Sequence, residues 1–195
     1  MNYGGSTGYG RRYRERLNGM WGVVDVDDCA SGAKYLCTRG RANRRKLFIR
    51  GGSAGGFTTL ASLAFTKLYA AGACYYGISD LEAWAKGTHK FESRYLDKMI
   101  GTYPAQRQLY LKRSPARSAN KISAPLIIFQ GLNDKVVPPA QSELVVKLMR
   151  KKKLPVQYVA FDGEGHGFHV ANHIREALES EMKLYSRVLG LPRET

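Results

Sequence analysis

Three residues in this sequence have the types and spacing for nucleophilic chemistry: Ser53, Asp134 and His166. Ser53 lies within Lys46 to Phe57, KLFIRGGSAGGF, where a short apolar run breaks into glycines and gives way to a helix-forming segment. Gly51 and Gly55 stand two residues before and two after it, the G-x-S-x-G pattern of a strand-to-helix turn that needs small neighbours. A serine at such an elbow sits at a helix N-terminus, so the Ala54 backbone N–H points toward any oxyanion that develops. The hydroxyl needs a base, and the base needs a carboxylate to orient it. Where an elbow of this kind carries a triad, the chain order is Ser, then Asp or Glu, then His. Asp134 in GLNDKVVPP and His166 in DGEGHGF follow in that order.

The elements that must position these side chains are legible around each. Leu47 to Ile49 has the residue types of a buried strand, and Thr58 to Phe65 (TTLASLAF) suits a helix packed against it. Leu126 to Gln130 (LIIFQ) and Val156 to Phe161 (VQYVAF) are predicted strands that end just before Asp134 and His166. Three strand ends then carry the three residues to one edge of a parallel sheet, where such sheets place their chemistry. Ala71 to Tyr76 is a further predicted strand, followed by a loop or short helix from Gly77 to Ala85. Helices are predicted over Arg11 to Asn18, Val24 to Arg39 and Phe91 to Ile100, and another starts at Pro138 and Pro139 with Ala140, Leu144, Val145 and Leu148 along one face. The last, Asn172 to Leu189, presents Ile174, Ala177, Leu178, Tyr185 and Val188, whereas Gly101 to Pro115 reads as irregular. Strands alternating with helices imply an α/β fold with a parallel sheet. With no internal repeat and no linker, residues 1–195 are expected to form one domain.

Taken singly, an Asp in Asn-Asp-Lys is an ordinary turn residue, and a His between glycines an ordinary loop. A glycine-rich turn can also cradle phosphate, but no G-x-G-x-x-G with a suitably placed acid and no Gly-Lys-Ser/Thr is present. His169 is an alternative base, although it and His173 fit a structural or surface role better, and His89 is left unassigned.

Together NYGGSTGYG, GGSAGG, GLNDKVVPP and GEGHGF, with FESRYL at Phe91 to Leu96, resemble the catalytic domain of the prolyl oligopeptidase family of serine peptidases. The resemblance runs from about Asn2 to Leu189. It implies an α/β-hydrolase fold, a Ser53–Asp134–His166 triad acting on a peptide through an acyl-enzyme, and Ala54 as one oxyanion donor. It also implies that Ile78, Leu81, Phe91 and Val137 fall where relatives build the pocket for the side chain before the cleaved bond, although by residue type they are equally ordinary core residues. Strands before Met1, a loop with a second oxyanion donor and a β-propeller belong to the family pattern and are not found in this sequence. The expectation is therefore a truncated or split peptidase, leaving open a complementing chain, a homo-oligomer or an inactive fragment. An esterase-like acyl hydrolase is the other open reading, since elbow and triad serve esters equally well.

Composition narrows the partners. No run of eighteen apolar residues exists, so no membrane span is expected, and the opening lacks the apolar centre of a signal peptide; a cytoplasmic protein is expected. Cys29, Cys37 and Cys74 show no metal-ligand spacing, and free thiols are expected. Neither a metal nor another cofactor is called for. The 31 basic against 16 acidic residues give a net charge of +15. That charge lies in RRYRER, RGRANRRK and KLMRKKK without a nucleic-acid-binding motif, so these runs read as solvated faces and nucleic acid is not expected as the main partner.

Overall fold

The computed structural model describes residues 1–87 and 94–192. Four strands form a parallel sheet in the order β1-β2-β3-β4: β1 Phe48–Gly52, β2 Ala71–Tyr75, β3 Leu126–Gly131 and β4 Val156–Phe161. Helices α1 Gly10–Arg14, α2 Val24–Thr38 and α3 Ala54–Phe65 are followed by the shorter α4 Leu81–Gly87, α5 Tyr95–Met99 and α6 Arg107–Arg113. Helices α7 Ala140–Lys151 and α8 Ala171–Leu189 complete the layers.

Strand alternation sorts the core into two faces. Cys74, Leu126 and Ile128 point toward α3 and α7, where Leu60, Leu63, Val145, Val146 and Met149 meet them. Ala71, Ala73, Tyr75, Ile127 and Phe129 point the other way, toward Ala177 and Leu184 of α8. Every residue of β2 and β3 is buried, which is why both strands are short unbroken apolar runs. A third cluster, around Trp21, Phe57, Trp84 and Tyr110, fills the region above the strands' C-terminal ends. The chain is thus a parallel α/β sheet flanked by helices, with β1 at one end of the four strands.

Several sequence expectations need correction. Gly101 to Pro115 is not wholly irregular, because Arg107–Arg113 is helical and Tyr110 is fully buried, its hydroxyl donating to Gly101 O at 2.6 Å. In α7 the exposed Ala140 is not on the inner face, and polar Gln141 and Ser142 are buried there. They turn inward because each has a partner: Gln141 Oε1 accepts the N–H groups of Ser79 and Asp80, and Ser142 Oγ donates to Gln130 Oε1. In α8, Ile174 and Leu178 stay 40% and 46% exposed, while Glu181 is buried. Glu181 is drawn in by the Tyr75 hydroxyl at 2.5 Å and Arg50 Nε at 2.9 Å.

Candidate active site

The elbow comes first, because it decides where the hydroxyl lies. β1 ends at Gly52 and α3 begins at Ala54, so Ser53 alone makes the turn, with φ 54° and ψ −118°. Such a conformation is costly for a non-glycine residue and persists only where its surroundings hold it. Here Ser53 N–H donates to Tyr75 O at 3.0 Å, and Ser53 O accepts from Phe57 N at 3.0 Å. The turn is also very tight: a Cβ on Gly51 would lie 2.3 Å from Gly55 O, and one on Gly56 2.6 Å from Gly77 Cα. Gly55 itself has open space where its Cβ would be.

Asp134 follows β3 and is 4% exposed. Its Oδ1 accepts the backbone N–H groups of Val136 and Val137, both at 2.9 Å. Gln130 Nε2 donates to its Oδ2 at 3.4 Å and to Val137 O at 3.2 Å, tying strand to loop. Burial on its own would raise this carboxyl's pKa, but the hydrogen bonds from His166, Val137 and Val136 outweigh it and hold the group below its ordinary value. Asp134 is therefore ionised at neutral pH.

His166 lies in the loop after β4, between Gly165 and Gly167, which bridge to each other. The loop rests directly on the end of β3, since a Cβ on Gly131 would be 2.4 Å from Gly165 O. Glu164, buried at 2% exposure, anchors it: the carboxylate accepts from His169 N, Val170 N and His173 Nδ1 at 2.8–3.0 Å, and Glu164 O accepts from Asn133 N at 2.8 Å. One residue thus ties the His166 loop to α8 and to the Asp134 loop.

These loops bring the three side chains into one hydrogen-bonded line. His166 Nδ1 is 2.8 Å from Asp134 Oδ2, and His166 Nε2 is 2.8 Å from Ser53 Oγ. A carboxylate can only accept, so Nδ1 carries the proton and Nε2 is left to accept from the Ser53 hydroxyl. Such a line can pass a proton from a hydroxyl to an imidazole whose charge the carboxylate stabilises. Ala54, as the first residue of α3, has a backbone N–H that the helix itself does not use.

This fold is shared with proteins of known structure and sequence. A model of the prolyl oligopeptidase family, whose fold is that of the α/β-hydrolases, matches residues 1–192. The chain belongs to the prolyl oligopeptidase family. It is 35% identical over 177 residues to dipeptidyl aminopeptidase BIII of Pseudoxanthomonas mexicana, covering 86% of this chain and 25% of that protein. Against a solved puromycin-hydrolyzing peptidase of Mycobacterium tuberculosis the identity is 48% and the TM-score 0.97, over 100% of this chain and 30% of the other. An acylaminoacyl peptidase of Pyrococcus horikoshii is 25% identical with a TM-score of 0.89, over 100% of this chain and 32% of the other. The chain spans about a quarter of the length of the curated relatives it matches.

The other expected site residues fall differently. Ile78, Leu81 and Val137 are 2%, 0% and 0% exposed, packed with Phe57, Trp84 and Tyr110 in the cluster above the strand ends. Phe91 and His89 lie outside the described residues. His169 contributes its backbone N–H to Glu164, and His173 stacks on Phe161 with ring centroids 4.8 Å apart. Among the described residues no group of three or more His, Cys, Asp and Glu side chains could hold a metal ion, and all three cysteines are free thiols. Sequence reasoning did not single out Gln130, Glu164 or Tyr76. The one available signal was that Glu164 and Tyr76 lie beside residues already under consideration.

Proposed function

We propose that this chain performs the acyl-transfer chemistry of a serine peptidase, with Ser53 as nucleophile, His166 as general base and then acid, and Asp134 as the group that orients the imidazole. The observation that carries this reading is the pair of 2.8 Å contacts joining Ser53 Oγ, His166 and Asp134, with Ser53 on a strained turn at a helix start. Ser53 Oγ attacks the carbonyl carbon while its proton moves to His166 Nε2. The tetrahedral oxyanion is met by the Ala54 N–H, and collapse expels the amine, which takes the proton from His166. Water then releases the acyl group from Ser53 by the same sequence in reverse roles.

Amides are proposed over simple esters because the relatives carry the names dipeptidyl aminopeptidase, acylaminoacyl peptidase and puromycin-hydrolyzing peptidase. Ile78, Leu81 and Val137, at 2%, 0% and 0% exposure, present no surface to a substrate, so they are proposed only to support a side-chain pocket from beneath, as part of the packed cluster beside the Asp134 loop. A fluorophosphonate probe should label the wild-type chain and spare Ser53→Ala. A folded wild-type chain that resists the probe overturns the proposal. Turnover of p-nitrophenyl esters with none of aminoacyl or prolyl amides would replace the peptidase reading with an esterase.

A further inference from the structure

We infer that Tyr76 is a positioning residue that holds His166 against Ser53; the inference rests on the roles proposed above for those two side chains. Tyr76 directly follows β2, and its backbone has φ 37°. Successive residues of a strand face opposite sides of the sheet, and Cys74 and Tyr75 obey this, packing toward α3 and α8 respectively. Tyr76 breaks the alternation and packs on the same side as Tyr75. Its left-handed turn is what returns the ring to that side.

Two backbone constraints fix the turn. Tyr76 N–H donates to Phe129 O at 2.7 Å, and the next residue, Gly77, is pressed so closely on α3 that a Cβ there would lie 2.7 Å from Gly56 C. Among the described residues only Ser53, Tyr76 and Lys153 adopt positive φ without being glycine. Lys153 sits in an exposed turn before β4, whereas Tyr76 is wedged against the site. Strain of this kind tends to be kept where a precise placement depends on it.

The ring is placed between the two reacting partners' supports. A Cβ on Gly52 would be 3.0 Å from Tyr76 Cε2 and 3.2 Å from its hydroxyl oxygen, so the ring covers the backbone just before Ser53. It also meets the His166 ring at 4.9 Å and 60°, and the Phe168 ring at 5.4 Å and 87°. Burial first, then the Asp134 charge, raises the phenol's pKa, so the group in contact is a neutral ring. Tyr76 therefore touches both the elbow and the imidazole, whose separation decides whether the proton can pass.

The test measures the fluorophosphonate labelling rate and the thermal midpoint of Tyr76→Ala, Tyr76→Gly and Tyr76→Phe. Glycine relieves the backbone strain and alanine keeps it, so these two variants differ in stability while both lack the ring. Both should label about ten- to a hundredfold more slowly than wild type, irrespective of that difference, and Tyr76→Phe should stay within about twofold. If neither small variant folds, Tyr76→Leu, of comparable bulk without the ring, should show the same loss. Wild-type rates in any folded variant lacking the ring, or rates that simply follow the thermal midpoints, overturn the role of Tyr76 alone. A folded wild-type chain that is never labelled overturns the Ser53 reading, and this inference with it.

Discussion

Gly51→Ala should disable the elbow, whereas Gly55→Ala, the other glycine of the same motif, should not. An alanine Cβ at position 51 would sit 2.3 Å from Gly55 O and 2.4 Å from Gly55 C, both backbone atoms of the first turn of α3. Contacts of a real Cβ do not fall below 3.0 Å, so β1 and α3 must part by about 0.7 Å at the least. Ser53 is the only residue between them. If that displacement is taken up along the line to His166, the 2.8 Å contact between Ser53 Oγ and Nε2 opens to about 3.5 Å, past the range of a useful hydrogen bond. A misplacement approaching 1 Å costs on the order of a hundredfold in rate, and overpacking of this kind costs about 1–3 kcal/mol in stability. At Gly55 the added methyl meets nothing and the residue is helical, so alanine should leave the labelling rate nearly unchanged and add up to about 1 kcal/mol of stability. The assay is the fluorophosphonate labelling rate of both variants beside their urea unfolding midpoints. Wild-type labelling by a Gly51→Ala chain of unchanged stability would refute the claim that the close approach of these two backbones aims the serine.

Asp134→Asn should lower the labelling rate on the order of a thousandfold or more while leaving the fold intact, because an amide no longer fixes the proton on His166 Nδ1; steady-state labelling with circular dichroism checks both halves. Glu82, buried beneath the top of α4, has its pKa lowered to about 2, first by Arg107, against burial, with Lys86 and Tyr103 adding to the effect. A carboxylate whose folded pKa is depressed stabilises fully above its ordinary value of 4.5 and loses that contribution as pH falls toward about 2. Glu82→Gln should therefore melt below wild type at pH 7, and the two melting curves should converge as pH drops from about 4.5 toward 2; a gap independent of pH would count against it. Glu181→Ala should destabilise by about 1–3 kcal/mol, chiefly because it strands the buried Tyr75 hydroxyl while the exposed Arg50 side chain turns to water, and Glu181→Gln should recover part of that loss in thermal melts.

What could be read from the residues alone was whatever hydrophobic period and glycine placement encode. LIIFQ is an almost continuous apolar run because β3 is paired on both sides and buried, whereas VQYVAF, interrupted by Gln157, forms the half-buried β4 at the end of the described strand order; both appear as strands with those bounds or one residue more. The order of serine, acid and base followed from where those runs stop. The glycine motif was legible only in part, because a sequence shows that two glycines flank the serine but not which one has a backbone against it. Gly51 does and Gly55 does not.

Polar side chains that fold inward escaped the pattern altogether, for a physical reason. A period-based reading assigns Glu, Gln and Ser to solvent, and it is right only where no partner waits inside. Glu181 has its partner on β2, 106 residues earlier, and Gln141 has its partners at Ser79 and Asp80, more than 60 residues earlier. Neither pairing leaves a local trace, so the inner faces of both helices were drawn too apolar: Ala177, Tyr185 and Val188 do pack inward from α8, but Glu181 takes an inner place there and Ile174 and Leu178 stay exposed. The same blindness hid Gln130 and Glu164, whose hydrogen bonds set the loops that carry Asp134 and His166. The reactive residues are legible because the chemistry demands their types, whereas the residues that place them are selected by geometry that exists only after the chain has closed on itself.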